Sequence, residues 1–243
     1  MKRIEISVEV VVGMQINYYG NMAYTLNSVV SSLFIQRKSP EVASILFLGD
    51  SNTFDLPNNW TGYLRNNLKM KNATIVQKNG ETTEWMKEQL ASLLAKGKRY
   101  DYVFIWGGVN DIYKTGTRAG KARAIQNIKD MITMLRKAKD TEGKFPEIVV
   151  INIACDRLRD EGLRYATNEK LSDEFNREVM MIPYARIVPT RDVMRAGKVP
   201  CEALTTRQLP QLRQALCRDQ LCHLNPKANQ ILANYIQKYI FKR

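Results

Sequence analysis

The chain of 243 residues is 44% hydrophobic and 25% charged, a composition that supports a sizeable core and excludes a disordered or fibrous protein. One domain with an N-terminal extension is expected from this length. The net charge of +13 bears on association with anionic partners, whether acidic glycans, nucleic acid or a charged envelope surface, rather than on the fold.

Met1-Lys2-Arg3 followed by apolar residues has the outline of a secretory signal, but Glu5 and Glu9 interrupt the uncharged core that such a signal needs. Ile6, Val8 and Val10 alternate with Ser7 and Glu9, which is strand-like. The apolar run from Met22 to Ile35 is too short and too rich in Asn, Ser and Thr for a membrane span, so a soluble protein is expected, in an undetermined compartment. Gln36 to Pro40 reads as a linker, making residues 1–43 an appended arm and 44–243 the main domain. Such an arm could add to a neighbour's sheet edge, so a structural role in a larger assembly, such as a virion or surface particle, is one reading of the chain.

From Ser44 onward apolar β-rich runs alternate with amphipathic stretches, the sequence form of a parallel sheet with helices on both faces. Strands are expected at Ser44 to Leu48, Ala73 to Gln77, Tyr102 to Trp106, Ile148 to Ile153 and Arg186 to Pro189. Helices are expected at Thr83 to Leu94, Ala122 to Ala138 and Asn168 to Met180. A terminal helix should be capped by Asn225, with Pro226 in its first position.

Between Ile112 and Lys139 eight basic residues (Lys114, Arg118, Lys121, Arg123, Lys129, Arg136, Lys137, Lys139) accompany one acid, Asp130. This stripe is either a solvated helix face or a polyanion surface, and it is the sole basis for a nucleic-acid reading. Gly116 to Lys121 imitates a phosphate-binding loop but is one residue short and lacks its Ser or Thr, leaving a basic loop. The four cysteines (Cys155, Cys201, Cys217, Cys222) lack zinc-site spacing, so no metal is implied; reduced thiols and one disulfide among the last three both remain open. Neither a G-x-S-x-G elbow nor a G-x-G-x-x-G fingerprint occurs.

The chemistry gathers where strands end. Gly49-Asp50-Ser51 follows the first strand, Asn79-Gly80-Glu81 the second and Gly108-Val109-Asn110-Asp111 the third, each at a carboxyl end, where open α/β sheets place ligands. A serine hydroxyl needs a base to become a nucleophile, and the chain holds one histidine, His223, just before the terminal helix.

These blocks, in this order, resemble the SGNH/GDSL hydrolases over about 200 residues, from Ser44 to the C-terminus. The resemblance implies a three-layer α/β/α flavodoxin-like fold with a five-stranded parallel sheet, and a serine esterase that needs no cofactor. It implies Ser51 as nucleophile, His223 as base, and an oxyanion hole made of the Ser51 and Gly80 backbone N–H groups with the Asn110 amide. The fourth block departs from the family, which separates its Asp and His by two residues. Here Asp219-Gln220-Leu221-Cys222-His223 has three between, so Gln220 stands in the strict acid position and a local bulge must bring Asp219 to the ring. An O-acetyl or other short acyl ester is the expected substrate, and the basic charge points to an acetylated or acidic glycan.

Overall fold

The computed structural model describes residues 37–140, 143–154, 163–196 and 223–241. The arm before Arg37, all four cysteines, and Asp219 with Gln220 lie outside the described residues.

Strand β1, Ser44–Gly49, is buried almost throughout because it is covered on both faces and paired on both sides. It lies between β2, Asn72–Gln77, and β3, Tyr102–Trp106, and the sheet continues through β4, Glu147–Ile151, to β5, Arg186–Val188. All pairings are parallel, in the order β2-β1-β3-β4-β5. Seven helices accompany the sheet among the described residues: α1 (Trp60–Asn67), α2 (Thr83–Ala95), α3 (Val109–Thr115), α4 (Arg118–Lys137), α5 (Leu163–Val179), α6 (Thr190–Ala196) and α7 (Pro226–Ile236).

The two-residue alternation of a strand sorts the core into two halves. Leu46, Leu48, Val103, Ile105, Ile148 and Val150 pack with residues of α2, α4 and α5. On the opposite face Ile45, Phe47, Phe104, Trp106, Val149 and Ile151 pack with residues of α1 and α7. This is the expected α/β/α sandwich.

The expected strands are present to within two residues at their ends. Asn225 caps α7 by accepting a hydrogen bond from the Ala228 N–H at 2.9 Å, with Pro226 in the first turn, as read from sequence. Helix α5 starts five residues before the expected Asn168, and two further local readings change. Helix α4 starts four residues before Ala122, because Thr117 caps it through the Gly120 N–H at 3.2 Å. The supposed basic loop is therefore a junction at Gly116 and Thr117 followed by the first turn of a helix. Helices α1, α3 and α6 are the elements that hydrophobic periodicity did not announce; two of them are only seven residues long.

The α4 stripe is likewise not uniform. Lys121 turns inward and bridges Glu174 (2.9 Å) and Glu178 (2.6 Å) on α5. Arg37, in the stretch before β1, pairs at 2.8 Å with the buried Glu147 at the start of β4.

One buried carboxyl anchors the loops above the sheet. Asp111 accepts hydrogen bonds from the Thr83 N–H (3.0 Å) and hydroxyl (2.7 Å), fixing the first turn of α2 to α3. The Thr83 hydroxyl in turn accepts from the Asn127 amide of α4 at 3.1 Å. Burial pushes the Asp111 pKa above its ordinary value, and the Thr83 hydrogen bonds oppose that rise without cancelling it. A carboxyl with a raised folded-state pKa stabilises the fold below its unfolded pKa of about 3.9, and that contribution is lost as pH rises through the folded value. The wild type should therefore lose stability relative to Asp111→Asn as pH rises above about 4. Denaturant midpoints of both proteins across that range check this, and a constant difference would refute it.

Candidate active site

Ser51 opens a short 3-10 turn, Ser51–Thr53, directly after β1. Asp50 caps that turn: its carboxylate accepts from the Asn52 N–H at 2.9 Å and from the Asn52 amide at 3.2 Å. Gly49 must be small, because a Cβ there would lie 2.0 Å from the Thr53 hydroxyl and 2.8 Å from the Trp106 carbonyl. The turn thus bends sharply against β3 and holds a serine that is only 5% exposed.

His223 comes from 172 positions away in sequence, and its Nε2 lies 2.8 Å from the Ser51 hydroxyl oxygen. With the ring proton on Nδ1, Nε2 accepts the Ser51 hydrogen, the geometry of a serine and its base. Phe54 meets the imidazole edge-on, with ring centroids 6.2 Å apart.

The histidine segment is tied to the serine segment by Asn229. Its side-chain oxygen accepts from the Trp60 N–H at 3.2 Å, and its amide donates to the carbonyls of Leu224 (2.8 Å) and Asn225 (3.1 Å). Trp60 then reaches back through its indole N–H to the Asn52 carbonyl at 2.9 Å. One buried carboxamide therefore couples α1, α7 and the turn that carries Ser51.

The second and third blocks meet on the other side. The Asn110 amide donates to the Glu81 carbonyl at 2.8 Å and to the Asp50 carboxylate at 3.2 Å. Gly80, beside Glu81, adopts φ +72, in the left-handed region that favours glycine. Gly108 has φ +110, and a Cβ there would come within 2.6 Å of the Phe175 ring. The loop before Asn110 is thereby pressed against α5. The structure brings Ser51 and His223 into contact and joins the Gly80 and Asn110 blocks to Ser51 through Asp50.

A cavity of about 230 Å³ opens beside Ser51 and His223. Its described lining combines Phe54, Leu56 and Pro57 with the carboxamides of Asn52, Asn58, Asn59 and Asn229, and it includes no lysine or arginine.

Residues 47–231 match the model of the GDSL-like Lipase/Acylhydrolase family. The chain belongs to this family. It is accordingly a serine ester hydrolase, and its sheet and helices are those of the family's fold. No curated protein matches the sequence. Among solved structures, a catalytic mutant of an acetylxylan esterase from Geobacillus stearothermophilus is similar at a TM-score of 0.59 and 16% identity, over 82% of this chain and 95% of that one. A lipase from a goat rumen metagenome is similar at 0.60 and 14%, over 82% and 98%. A lipolytic G-D-S-L protein of Veillonella parvula DSM 2008 gives 0.57 and 10%, over 82% and 99%.

Asp50 and Asn229 were not among the residues expected at the site, although Asp50 lies inside the first block. Their partners are 60 and 169 residues away respectively, a separation that no local pattern reports. Asn229→Ala in this hydrolase should cost about 1–3 kcal/mol of stability, because it orphans the Trp60 N–H and the Leu224 carbonyl. It should also lower kcat more than it changes KM, since it frees the segment that aims His223. Thermal unfolding with steady-state ester hydrolysis reads both effects, and an unchanged kcat would remove the positioning role.

Proposed function

We propose that this esterase removes an O-acetyl or other short acyl group from a hydroxylated, glycan-like alcohol through an acyl-serine intermediate. The Ser51 to His223 contact of 2.8 Å carries the reading. Ser51 attacks the ester carbonyl carbon as His223 Nε2 takes its proton. The tetrahedral oxyanion is met by the Ser51 and Gly80 N–H groups and by the Asn110 amide, which gives up its Glu81 contact for the purpose. Collapse expels the alkoxide, which receives the proton held by His223 and leaves as the alcohol. Water, deprotonated by His223, then adds to the acyl carbon, and the acid departs as Ser51 regains its hydrogen. Asp219 is the residue proposed to orient the imidazole, with Gln220 its rival.

The cavity supports the substrate class. Its volume of about 230 Å³ suits a small acyl group with part of a sugar-sized alcohol, and its carboxamides match neutral hydroxyls. The acetylxylan esterase among the similar structures agrees with this class.

Ser51→Ala and His223→Ala should each lower p-nitrophenyl acetate hydrolysis by about 10³-fold or more, and Ser51→Ala should abolish fluorophosphonate labelling. Asn110→Ala should cost about 10²- to 10³-fold in kcat. Asp219→Asn should fall by several orders of magnitude while Gln220→Ala keeps its activity; the opposite ranking would assign the role to Gln220. A folded wild type that neither turns over nor labels would overturn the proposal.

A further inference from the structure

In a parallel sheet every helix-to-strand connection returns to the same edge, the one where strands begin. Here that edge lies opposite Ser51, about 20 Å away along a six-residue strand. The connections there are unusually basic. Lys69 and Lys71 precede β2, Lys96, Lys98 and Arg99 precede β3, and Arg136, Lys137 and Lys139 precede β4; all eight are exposed.

Among the described residues, the acids on this edge form an ion pair with only one of these eight, Lys71. Glu41 is taken by Lys71, Asp101 by Lys38, and the buried Glu147 by Arg37. Lys96, Lys98, Lys137 and Lys139 form no ion pair among the described residues. Side-chain contacts make the patch continuous. The Arg99 guanidinium donates to the Lys139 carbonyl at 3.1 Å, and the Arg136 guanidinium covers the rings of Phe145 (4.1 Å) and Tyr184 (4.9 Å).

The same edge gathers exposed apolar side chains. Of the six large hydrophobic residues exposed among those described, Met180, Met181 and Tyr184 precede β5 and Val42 precedes β1. A fifth, Tyr239, has its carbonyl held by Arg186 at the start of β5. Met181 is 75% exposed. The sixth, Leu56, lines the cavity.

We propose that this edge docks the protein on an anionic lipid bilayer. Met180, Met181 and Tyr184 enter the interface, while Lys96, Lys98, Lys137 and Lys139 face the acidic headgroups. The combination selects a bilayer over other polyanions. A nucleic acid or acidic glycan would satisfy the lysines but leave both methionines in water, whereas a lipid surface supplies an apolar phase beneath a layer of negative charge. Tyrosine, with an apolar ring and a polar tip, suits that boundary. Docking by this edge turns the Ser51 cavity away from the bilayer, so the ester would be met in solution or on a facing surface rather than among the bound lipids.

The test is co-sedimentation of the full chain with vesicles of phosphatidylcholine alone or with about a third phosphatidylserine, at low and physiological salt. Binding at least about tenfold stronger to the serine-containing vesicles, and weakened by salt, is expected. Met180→Ser with Met181→Ser should weaken it several-fold at unchanged charge, and Lys137→Glu with Lys139→Glu should abolish it. Both double variants should hydrolyse p-nitrophenyl acetate like the wild type, which shows that they are folded. Lack of preference for phosphatidylserine overturns the proposal, as does vesicle binding untouched by either double variant. Duplex DNA binding of equal strength, with no effect of the methionine substitutions on either ligand, would mark a general polyanion surface and overturn it as well.

Discussion

A buried carboxylate must be surrounded by donors, and Asp50 meets that demand with groups from two different loops. It is fully buried beside Ser51, and its oxygens accept from the Asn52 N–H, the Asn52 amide and the Asn110 amide. An uncompensated charge at that depth would cost several kcal/mol, so the turn after β1 and the loop after β3 are locked into one arrangement. The position of Ser51 against the third block follows from satisfying its neighbour. Asp111 repeats the device one layer out, where a buried carboxyl holds the first turn of α2 through both donors of Thr83.

The sheet order makes these contacts feasible. Placing β1 between β2 and β3 brings three strand ends side by side, about 4.8 Å apart, so that short loops converge without long excursions. His223 arrives from the other side, where α7 packs against α1, and Asn229 joins the two helices to the serine turn. The site is therefore assembled on rigid strand ends and helix starts rather than on long loops, which suits a reaction that depends on holding a base within hydrogen-bond reach of its nucleophile. Among the described residues the cavity at the carboxyl ends is lined largely by carboxamides and apolar groups, and the opposite edge carries eight exposed lysines and arginines.

Much of this was legible in the order of residues. Alternation of apolar runs with amphipathic stretches reports a parallel sheet, because strands covered on both faces must be apolar throughout. Asn225 and Pro226 announce the last helix through purely local chemistry. The seven-residue helices α3 and α6 were not legible, since they span too few turns to show a period, and the start of α4 was hidden because a Thr cap before Arg, Ala and Gly carries no hydrophobic signal.

The sequence by itself determined the family and the order of the strands, and it singled out Ser51, Gly80, Asn110 and His223 as candidates, because these are carried by short motifs whose chemistry is local. Only the tertiary structure decided that Asp50 grips Asn110, that Asn229 couples Trp60 to Leu224, that Lys121 turns inward to Glu174 and Glu178, and that Lys96, Lys98, Lys137 and Lys139 share the edge away from Ser51. Those outcomes depend on which distant groups must share one buried volume or one edge of the sheet. A hydrogen bond between residues far apart in the chain leaves no periodic trace in either of them.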